Sequence, residues 1–482
     1  MEINNIDFAL SFAGKVHFVG IGGIGMSGMA EILAGLGFEL QGSDVNDSDN
    51  VKRLRKKGIK VFIGHQPSNI DDVAYLVISS DVKDSNIEVI TAKERGVPVI
   101  SRAEMLAEIT RFKYTISISG SHGKTTTTTL MAYMLENGGL SPTVITGGII
   151  NSKKTNAYVG QSKYLVVEAD ESDGTFIKIP SFIGVITNID PEHLNYYGSF
   201  ENLKSAFLTF IENLPFYGFA VACLDHPVVC EIIAQVSNRE IITYSAVDLN
   251  ADIYGHNLRY EKTGVYFDVM LSKKLGVNYD KIENLFLPMF GDHNVLNALS
   301  TIAVAIRLGI SADKIKNGFK GFEGVKRRFT KVGEFSGATI IDDYAHHPVE
   351  IAATVQTARK ILSSSDVSGK LIAIVQPHRY SRLADLIDQF ANCYQGVDQL
   401  YITDVFTAGE SPIEGVNSQV LIEKIKINYP TLSVRHVSSY EQIVTAVRID
   451  VETGDLVLMM GAGSISKWAN ELQKSLEEIS AA

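Results

Sequence analysis

The stretch from Tyr114 to Leu130, Tyr-Thr-Ile-Ser-Ile-Ser-Gly-Ser-His-Gly-Lys-Thr-Thr-Thr-Thr-Thr-Leu, constrains this chain more than any other. Alternation of β-branched residues up to Ser119 predicts a strand. Gly120 and Gly123 let the backbone turn so that consecutive amides face inward. Lys124, Thr125 and Thr126 then open a helix whose apolar face runs through Leu130, Met131, Met134 and Leu135, and Asn137-Gly138-Gly139 ends it. A cage of N–H donors at the positive end of a helix suits a polyphosphate. Lys124 would set a point charge on the outer phosphates, and Thr125 a hydroxyl on magnesium. The box is the short G-x-x-G-K-T, because a full Walker A spacing needs glycine where Ile118 stands.

A phosphate site of this kind needs a sheet around it, and the chain has room for several. Its 482 residues correspond to about three domains of ~150 residues each. A 45% hydrophobic and 21% charged composition is that of a protein with large cores. The net charge of −11 disfavours broad binding to nucleic acid or an anionic membrane, so anionic ligands must be held by local loops and a few placed cations. The three cysteines, Cys223, Cys230 and Cys393, have no zinc-type spacing and an odd total, which points to a reducing compartment. The N-terminus lacks a basic region ahead of an apolar one, and no apolar run approaches the ~20 residues that span a bilayer. A cytoplasmic location is expected.

In a first domain, residues 1–110, a short apolar strand from Lys15 leads into Gly20, Gly22 and Gly25, which fit G-x-G-x-x-G. A helix and a second strand follow, ending at Ser43-Asp44. An acidic residue in that position grips a ribose in dinucleotide folds. The residues alone allow a nicotinamide cofactor or any other nucleotide diphosphate. Gly64-His65 and Ser79-Ser80 lie at later strand ends, where they could cap loops or touch a ligand.

The central domain, residues 111–325, continues past the phosphate loop to an apolar strand carrying Glu168, Asp170, Glu171 and Asp173 at its end. Carboxylates packed so densely repel one another unless cations sit among them, and beside a triphosphate loop magnesium is the natural one. His193 follows the next strand end, in Asn188-Ile-Asp-Pro-Glu-His. His293, Asn294 and Asn297 open a later helix and could frame a base, or Asn294 could cap the helix.

In the C-terminal domain, residues 326–482, Lys326-Arg327-Arg328 follows Gly321 and Gly324 as a hinge-and-clamp segment. Strands and helices alternate again. Polar groups gather after the strands, where open α/β sheets bind ligands: Asp342-Asp343-Tyr344-Ala-His346-His347, and Gln376-Pro-His378-Arg379-Tyr380-Ser-Arg382.

In this order the blocks Gly-Ile-Gly-Gly-Ile-Gly-Met-Ser-Gly, Gly-Ser-His-Gly-Lys-Thr-Thr, Glu-Ala-Asp-Glu-Ser-Asp, Thr-Asn-Ile-Asp-Pro-Glu-His, Gly-Asp-His-Asn-Val-Leu-Asn-Ala, Val-Lys-Arg-Arg-Phe, Asp-Asp-Tyr-Ala-His-His-Pro and Gln-Pro-His-Arg-Tyr resemble the Mur ligases, the ATP-dependent amino-acid-adding enzymes of peptidoglycan assembly. The resemblance covers nearly the whole chain. It implies an α/β protein of three domains: a Rossmann-like UDP-sugar domain, a central P-loop-type ATPase domain and a Rossmann-like C-terminal domain that closes. It implies UDP-sugar contacts at Gly22, Gly23, Ile24, Gly25, Asp44, His65, Ser79 and Ser80. Gly120, Ser121, His122, Gly123, Lys124, Thr125 and Thr126 would hold ATP, with His293, Asn294 and Asn297 near the adenosine. Arg328 and Asp343 would also serve the cofactor. Magnesium would sit on Thr125, Glu168 and His193.

Tyr344, His346, His378, Arg379 and Arg382 would face substrate, and Lys124, His346, Arg379 and Arg382 would carry the chemistry. The Gln376 to Tyr380 block points to the family activity that joins L-alanine to UDP-N-acetylmuramate through an acyl phosphate; the nearest rival attaches a whole tripeptide. Several relatives carry a carbamylated lysine, but Lys204 is off register here, so none is expected. The loop after Asp44 lacks the family's usual threonine, and Leu299-Ser300 replaces an alanine pair. Two other classes stand against this reading. A nicotinamide-dependent oxidoreductase would explain only the first glycine loop, and a nucleotide-switched binding protein would leave the C-terminal His/Arg clusters unused. A monomer or homodimer is expected.

Overall fold

Residues 14–79, 81–261, 263–363 and 368–481 are described by a computed structural model. The expected contact at Ser80 lies outside them. The described residues are α/β with three sheets, and packing groups them into two compact units. Among the described residues, those within 14–257, 267–286 and 295–323 form the first, and those within 258–266, 287–294 and 324–481 the second.

The first sheet holds β1 (Val16–Val19), β2 (Leu40–Asp44), β3 (Lys60–Ile63), β4 (Tyr75–Ile78) and β5 (Val99–Ser101), in the order β3-β2-β1-β4-β5. Every pairing in it is parallel. The order reverses beside β1, which opens a crevice at the carboxyl ends of the strands.

The second sheet is built on β6 (Tyr114–Ser119), β7 (Thr143–Ile150), β8 (Thr155–Tyr158), β9 (Tyr164–Glu168), β10 (Ile183–Ile186), β11 (Phe219–Cys223), β12 (Glu240–Ser245), β13 (Ile253–Glu261), β14 (Gly264–Leu271) and β15 (Lys281–Leu287). Its order is β15-β14-β13-β12-β11-β10-β6-β9-β7-β8. The central strand β6 lies parallel between β9 and β10. Strands covered on both faces read as unbroken apolar runs, and all residues of β10 and β11 are buried. That is why these segments show no clean alternation in sequence.

These two sheets share one core. The helix Ile24–Gly35 follows the first glycine loop and packs Met29, Ile32 and Leu33 into a cluster that includes Ile145 and Ala157 of the second sheet. Gly28 lies so close to β8 that a Cβ there would meet Asn156 Nδ2 at 2.8 Å. Asn156 in turn donates to the Ile24 carbonyl at 2.7 Å.

The third sheet, in the second unit, comprises β16 (Thr330–Phe335), β17 (Ala338–Asp343), β18 (Leu371–Val375), β19 (Gln399–Ile402), β20 (Ser433–His436) and β21 (Leu456–Met460), in the order β16-β17-β21-β18-β19-β20. Only the β16–β17 pair is antiparallel. Separate apolar clusters cover its two faces. Among the described residues no helix is long and apolar enough to cross a membrane.

Candidate active site

The expected UDP-sugar residues meet at the carboxyl end of the first sheet. Gly20 takes a left-handed φ of +75° at the end of β1, which lets its amide and that of Ile21 both donate to the Ser43 carbonyl, at 2.8 and 3.0 Å. Gly22 donates its N–H to Asp44 Oδ2 at 2.8 Å, and a Cβ at Gly22 would strike that same oxygen. Asn46 N–H occupies Asp44 Oδ1 at 2.9 Å. Asp44 therefore braces the glycine loop, a task the ribose-gripping expectation did not include. Gly23 and Ile24 are exposed and Gly25 half-buried where the helix begins. Ser79 Oγ lies 3.5 Å from where a Gly20 Cβ would sit. His65, after β3, turns Nδ1 toward Ser43 Oγ at 3.0 Å and Glu88 Oε2 at 3.1 Å.

The phosphate loop, also in the first unit, joins β6 to the helix Lys124–Asn137. Gly120 has φ +132° and would place a Cβ 2.1 Å from Thr187 Oγ1, so no side chain fits. Gly123, at φ +82°, lies against Asn297, whose Oδ1 would be 2.9 Å from a Cβ. The loop is clamped from β10's end. Thr187 Oγ1 donates to the His122 carbonyl at 2.7 Å, and Asn188 accepts from Ser121 N at 3.1 Å and from His122 N at 2.7 Å. The expectation of inward-facing amides needs correcting there, because Asn188 takes two of them. Thr187 and Asn188 were legible only as a strand end. Their role follows from the β6–β10 pairing, which sequence does not supply.

Lys124 Nζ binds both oxygens of the buried Glu171, at 3.0 and 2.8 Å, and the carbonyl of Gly120 at 2.6 Å. Burial works against its charge, but Glu171, with Asp170 and Glu168, raises its pKa and holds the proton firmly. Thr125 Oγ1 donates to Glu168 Oε1 at 3.0 Å, while Thr146 Oγ1 and Gly147 N–H occupy Oε2 at 3.1 and 2.7 Å. His193 groups differently. Its ring lies with Asp170 and Glu171, their ligand atoms within 4.8 Å of one another. The expected trio of Thr125, Glu168 and His193 thus falls into two neighbouring groups, and Asp170 and Glu171 join the set. Thr126 is buried at the start of the helix.

In the second unit the clusters after β17 and β18 do meet. The Tyr344 and His346 rings lie edge to face at 5.0 Å, as do His346 and His378 at 5.8 Å. Arg382 Nη1 donates to His378 Nδ1 at 3.4 Å. Phe406, not singled out from sequence, stacks on His378 at 5.5 Å and 11°. Arg379 caps the helix Tyr380–Phe390 with a left-handed φ of +69°; its amide donates to Phe406 O at 2.8 Å and its side chain is exposed. His346 Nδ1 donates to Tyr344 O at 2.9 Å. Burial, the largest influence, pushes the pKa of both His346 and His378 down to about 4.

Arg327 and Arg328 lie 4.6 and 5.2 Å from the Tyr344 ring centroid, and Arg327 also donates to the Gly461 carbonyl at 2.8 Å. Asp343 is buried and accepts from Phe329 N–H at 2.6 Å and Ala345 N–H at 2.7 Å; burial raises its pKa to about 6. Both its oxygens thus hold the Arg327–Tyr344 corner. His293 is exposed at the start of the helix Asp292–Arg307. Asn294 Nδ2 donates to Phe290 O at 2.7 Å, tying the start of the helix Asp292–Arg307 to the segment before it.

A strand–loop–helix phosphate site with a buried Lys–Glu pair, on an α/β chain whose three sheets carry three polar clusters, defines a nucleotide-dependent enzyme. The chain belongs to the Mur ligase family. Family models match along its length: the Mur ligase family catalytic domain over residues 15–114, the middle domain over 118–305 and the glutamate ligase domain over 327–463. These three matches follow the three sheets.

The chain is 52% identical over 474 residues to the UDP-N-acetylmuramate–L-alanine ligase of Rickettsia canadensis, covering 98% of each chain. It is 51% identical to the protein of that name from Brucella anthropi, over 96% of this chain and 98% of the other. The crystal structure of UDP-N-acetylmuramate–alanine ligase from Thermotoga maritima superposes with a TM-score of 0.78 at 28% identity, covering 97% of this chain and all (100%) of that one. A murein peptide ligase from Psychrobacter arcticus, 22% identical with a TM-score of 0.68 over 96% of this chain and 98% of its own, shares the fold.

Proposed function

We propose that this chain joins L-alanine to the lactyl carboxylate of UDP-N-acetylmuramate in peptidoglycan precursor synthesis, converting ATP to ADP and phosphate. The observation that carries the reading is identity of about half over nearly the full length to ligases of that name. A carboxylate and an ammonium ion do not condense unaided, so the carboxylate is activated first. The lactyl oxygen attacks the γ-phosphorus of ATP, ADP leaves, and an acyl phosphate forms. The alanine ammonium gives up a proton to solvent, its amine attacks the acyl carbon, and phosphate leaves from a tetrahedral intermediate, taking the second nitrogen proton as the amide forms.

In this reading Lys124 neutralises charge on the transferring phosphoryl group, a reaction governed by positioning and electrostatics. Magnesium fits the oxygen donors of Thr125, Glu168, Asp170 and Glu171, with His193 beside them, and supplies further charge neutralisation. His346, with Nδ1 committed to Tyr344 and its pKa low, is a poor proton store; it serves to accept a hydrogen bond from the amine through Nε2. Arg379 or Arg382 suits the alanine carboxylate.

The test is phosphate release and product mass with each component omitted in turn. L-Alanine, glycine, L-serine, D-glutamate and the tripeptide L-alanyl-γ-D-glutamyl-diaminopimelate would be offered as acceptors. L-Alanine should lead, with glycine and L-serine trailing by about 10–200-fold, the range one methyl-sized difference allows. Preference for the tripeptide or for D-glutamate would overturn the assignment.

A further inference from the structure

Beneath the first glycine loop is a polar network that neither the loop nor the phosphate chemistry requires. Glu88, on the helix Ile87–Arg95, has no solvent exposure, yet both of its oxygens are filled with donors. Oε1 accepts Asn69 Nδ2 at 2.6 Å and Gln66 N–H at 3.3 Å. Oε2 accepts Ser43 Oγ at 2.5 Å and faces His65 Nδ1 at 3.1 Å and His17 Nε2 at 3.5 Å. Burial works against ionisation of Glu88, but the hydrogen bonds from His17, Ser43 and Asn69 outweigh it and bring its pKa to about 2. An ionised carboxylate only accepts, so every group facing it must donate.

That condition fixes the neighbouring rings. Gln41 Nε2 donates to Asn69 O at 2.6 Å, which orients its amide, and the same nitrogen reaches His17 Nδ1 at 3.3 Å. His17 thus keeps its proton on Nε2, toward Glu88. His65 is the outward member, with its side chain 18% exposed. Its Nδ1 proton is shared between the carboxylate and Ser43 Oγ, 3.0 Å away, whose own proton goes to Glu88, and among the described residues no protein group bonds its Nε2.

We propose that Glu88 is a positioning residue for the nucleotide-sugar site: it takes the Nδ1 proton of His65 and leaves Nε2 as a hydrogen-bond acceptor for a hydroxyl or N–H of the ligand. The proposal rests on the reading of this crevice as the UDP-sugar site. Glu88 lies under the ends of β2 and β3 and touches no ligand itself. With glutamine at position 88, one oxygen becomes an NH2 group, which cannot accept from His65 or from Asn69, and the ring loses its fixed tautomer.

The experiment is a double-mutant cycle of Glu88→Gln and His65→Ala in the full chain, read as KM for UDP-N-acetylmuramate, KM for ATP, kcat and Tm. Glu88→Gln should raise KM for the nucleotide sugar about tenfold, the worth of one well-placed hydrogen bond. KM for ATP should stay put, and the same substitution added to His65→Ala should change the nucleotide-sugar KM no further. Equal effects in both backgrounds, or an unchanged KM, would overturn the proposal.

If Glu88→Gln does not fold, 15N-histidine spectra of the wild-type protein at alkaline pH decide it, with the His65 signal assigned by its loss in His65→Ala. The Nδ1–H tautomer is expected; an Nε2–H tautomer would overturn the proposal. Absence of turnover with UDP-N-acetylmuramate by the wild-type enzyme would instead count against the functional reading, while the tautomer would still report on Glu88.

Discussion

Truncating Lys124 acts twice, because its ammonium both serves the phosphate loop and neutralises a carboxylate with no exposure of its own. Lys124→Ala should lower kcat about a hundredfold or more, the effect of losing one preorganised charge contact of ~3 kcal/mol. It should also lower Tm, since an uncompensated buried charge costs about 3–5 kcal/mol. Adding Glu171→Gln should recover part of the Tm and none of the activity, which thermal unfolding and phosphate release together would show. UDP-sugar affinity by calorimetry should stay within a few-fold; its collapse would put the two ligands on one site. Glu168→Gln should demand more magnesium for half-maximal turnover, and an unchanged titration would remove Glu168 from the metal set. Lys124 and Thr125 were legible because their chemistry depends on neighbours in sequence. Glu171 was visible only as one of four acidic residues, since which carboxylate faces inward is decided by the turn after β9.

At the scale of elements, the phosphate loop is held by what its glycines exclude. Gly120→Ala must displace Thr187 Oγ1 from 2.1 Å at a φ that side chains avoid, so the clamp from β10's end should open. The expected outcome is a rise in KM for ATP of at least about tenfold with KM for the nucleotide sugar little changed, checked by steady-state kinetics. The strand–loop–helix order of this region was legible because β-branched alternation, glycines and a Gly-Gly stop all lie in sequence. The strands β13 to β15 and the Phe406 loop were not, because their places depend on pairing partners far along the chain.

For the whole molecule, the titration behaviour of the second unit sets a direction. Half-buried His346 and His378 have folded pKa values near 4, below the unfolded value of about 6.5. The unfolded state therefore binds more protons between these limits. The stability these groups contribute is complete above about pH 6.5 and is lost as pH falls through about 4. Asp342 and Asp343 work the other way: burial raises both, Asp343 to about 6, so they cost stability as pH rises through that range. Asp292 and Glu410, whose pKa values are lowered, act in the same direction as the two histidines, so the urea midpoint should fall from about pH 7 to about pH 4. In His346→Gln the slope should be shallower by up to ~1.4 kcal/mol per pH unit, the share of one proton. Equal slopes in the two proteins would mean that His346 charges freely in the fold.

The helix Ile24–Gly35 also bears on how chimaeras of such enzymes can be built. A cut near residue 110, natural on the covalent chain, would strip Met29, Ile32 and Leu33 of the Ile145 and Ala157 side of their core and leave Glu31 without Thr155 Oγ1 at 3.3 Å. Exchange of nucleotide-sugar specificity between relatives should therefore succeed when the β7–β8 ribbon is transplanted along with the first sheet. Grafts that end at residue 110 should be recovered as insoluble protein, through a seam that lies in the packing and has no mark on the backbone.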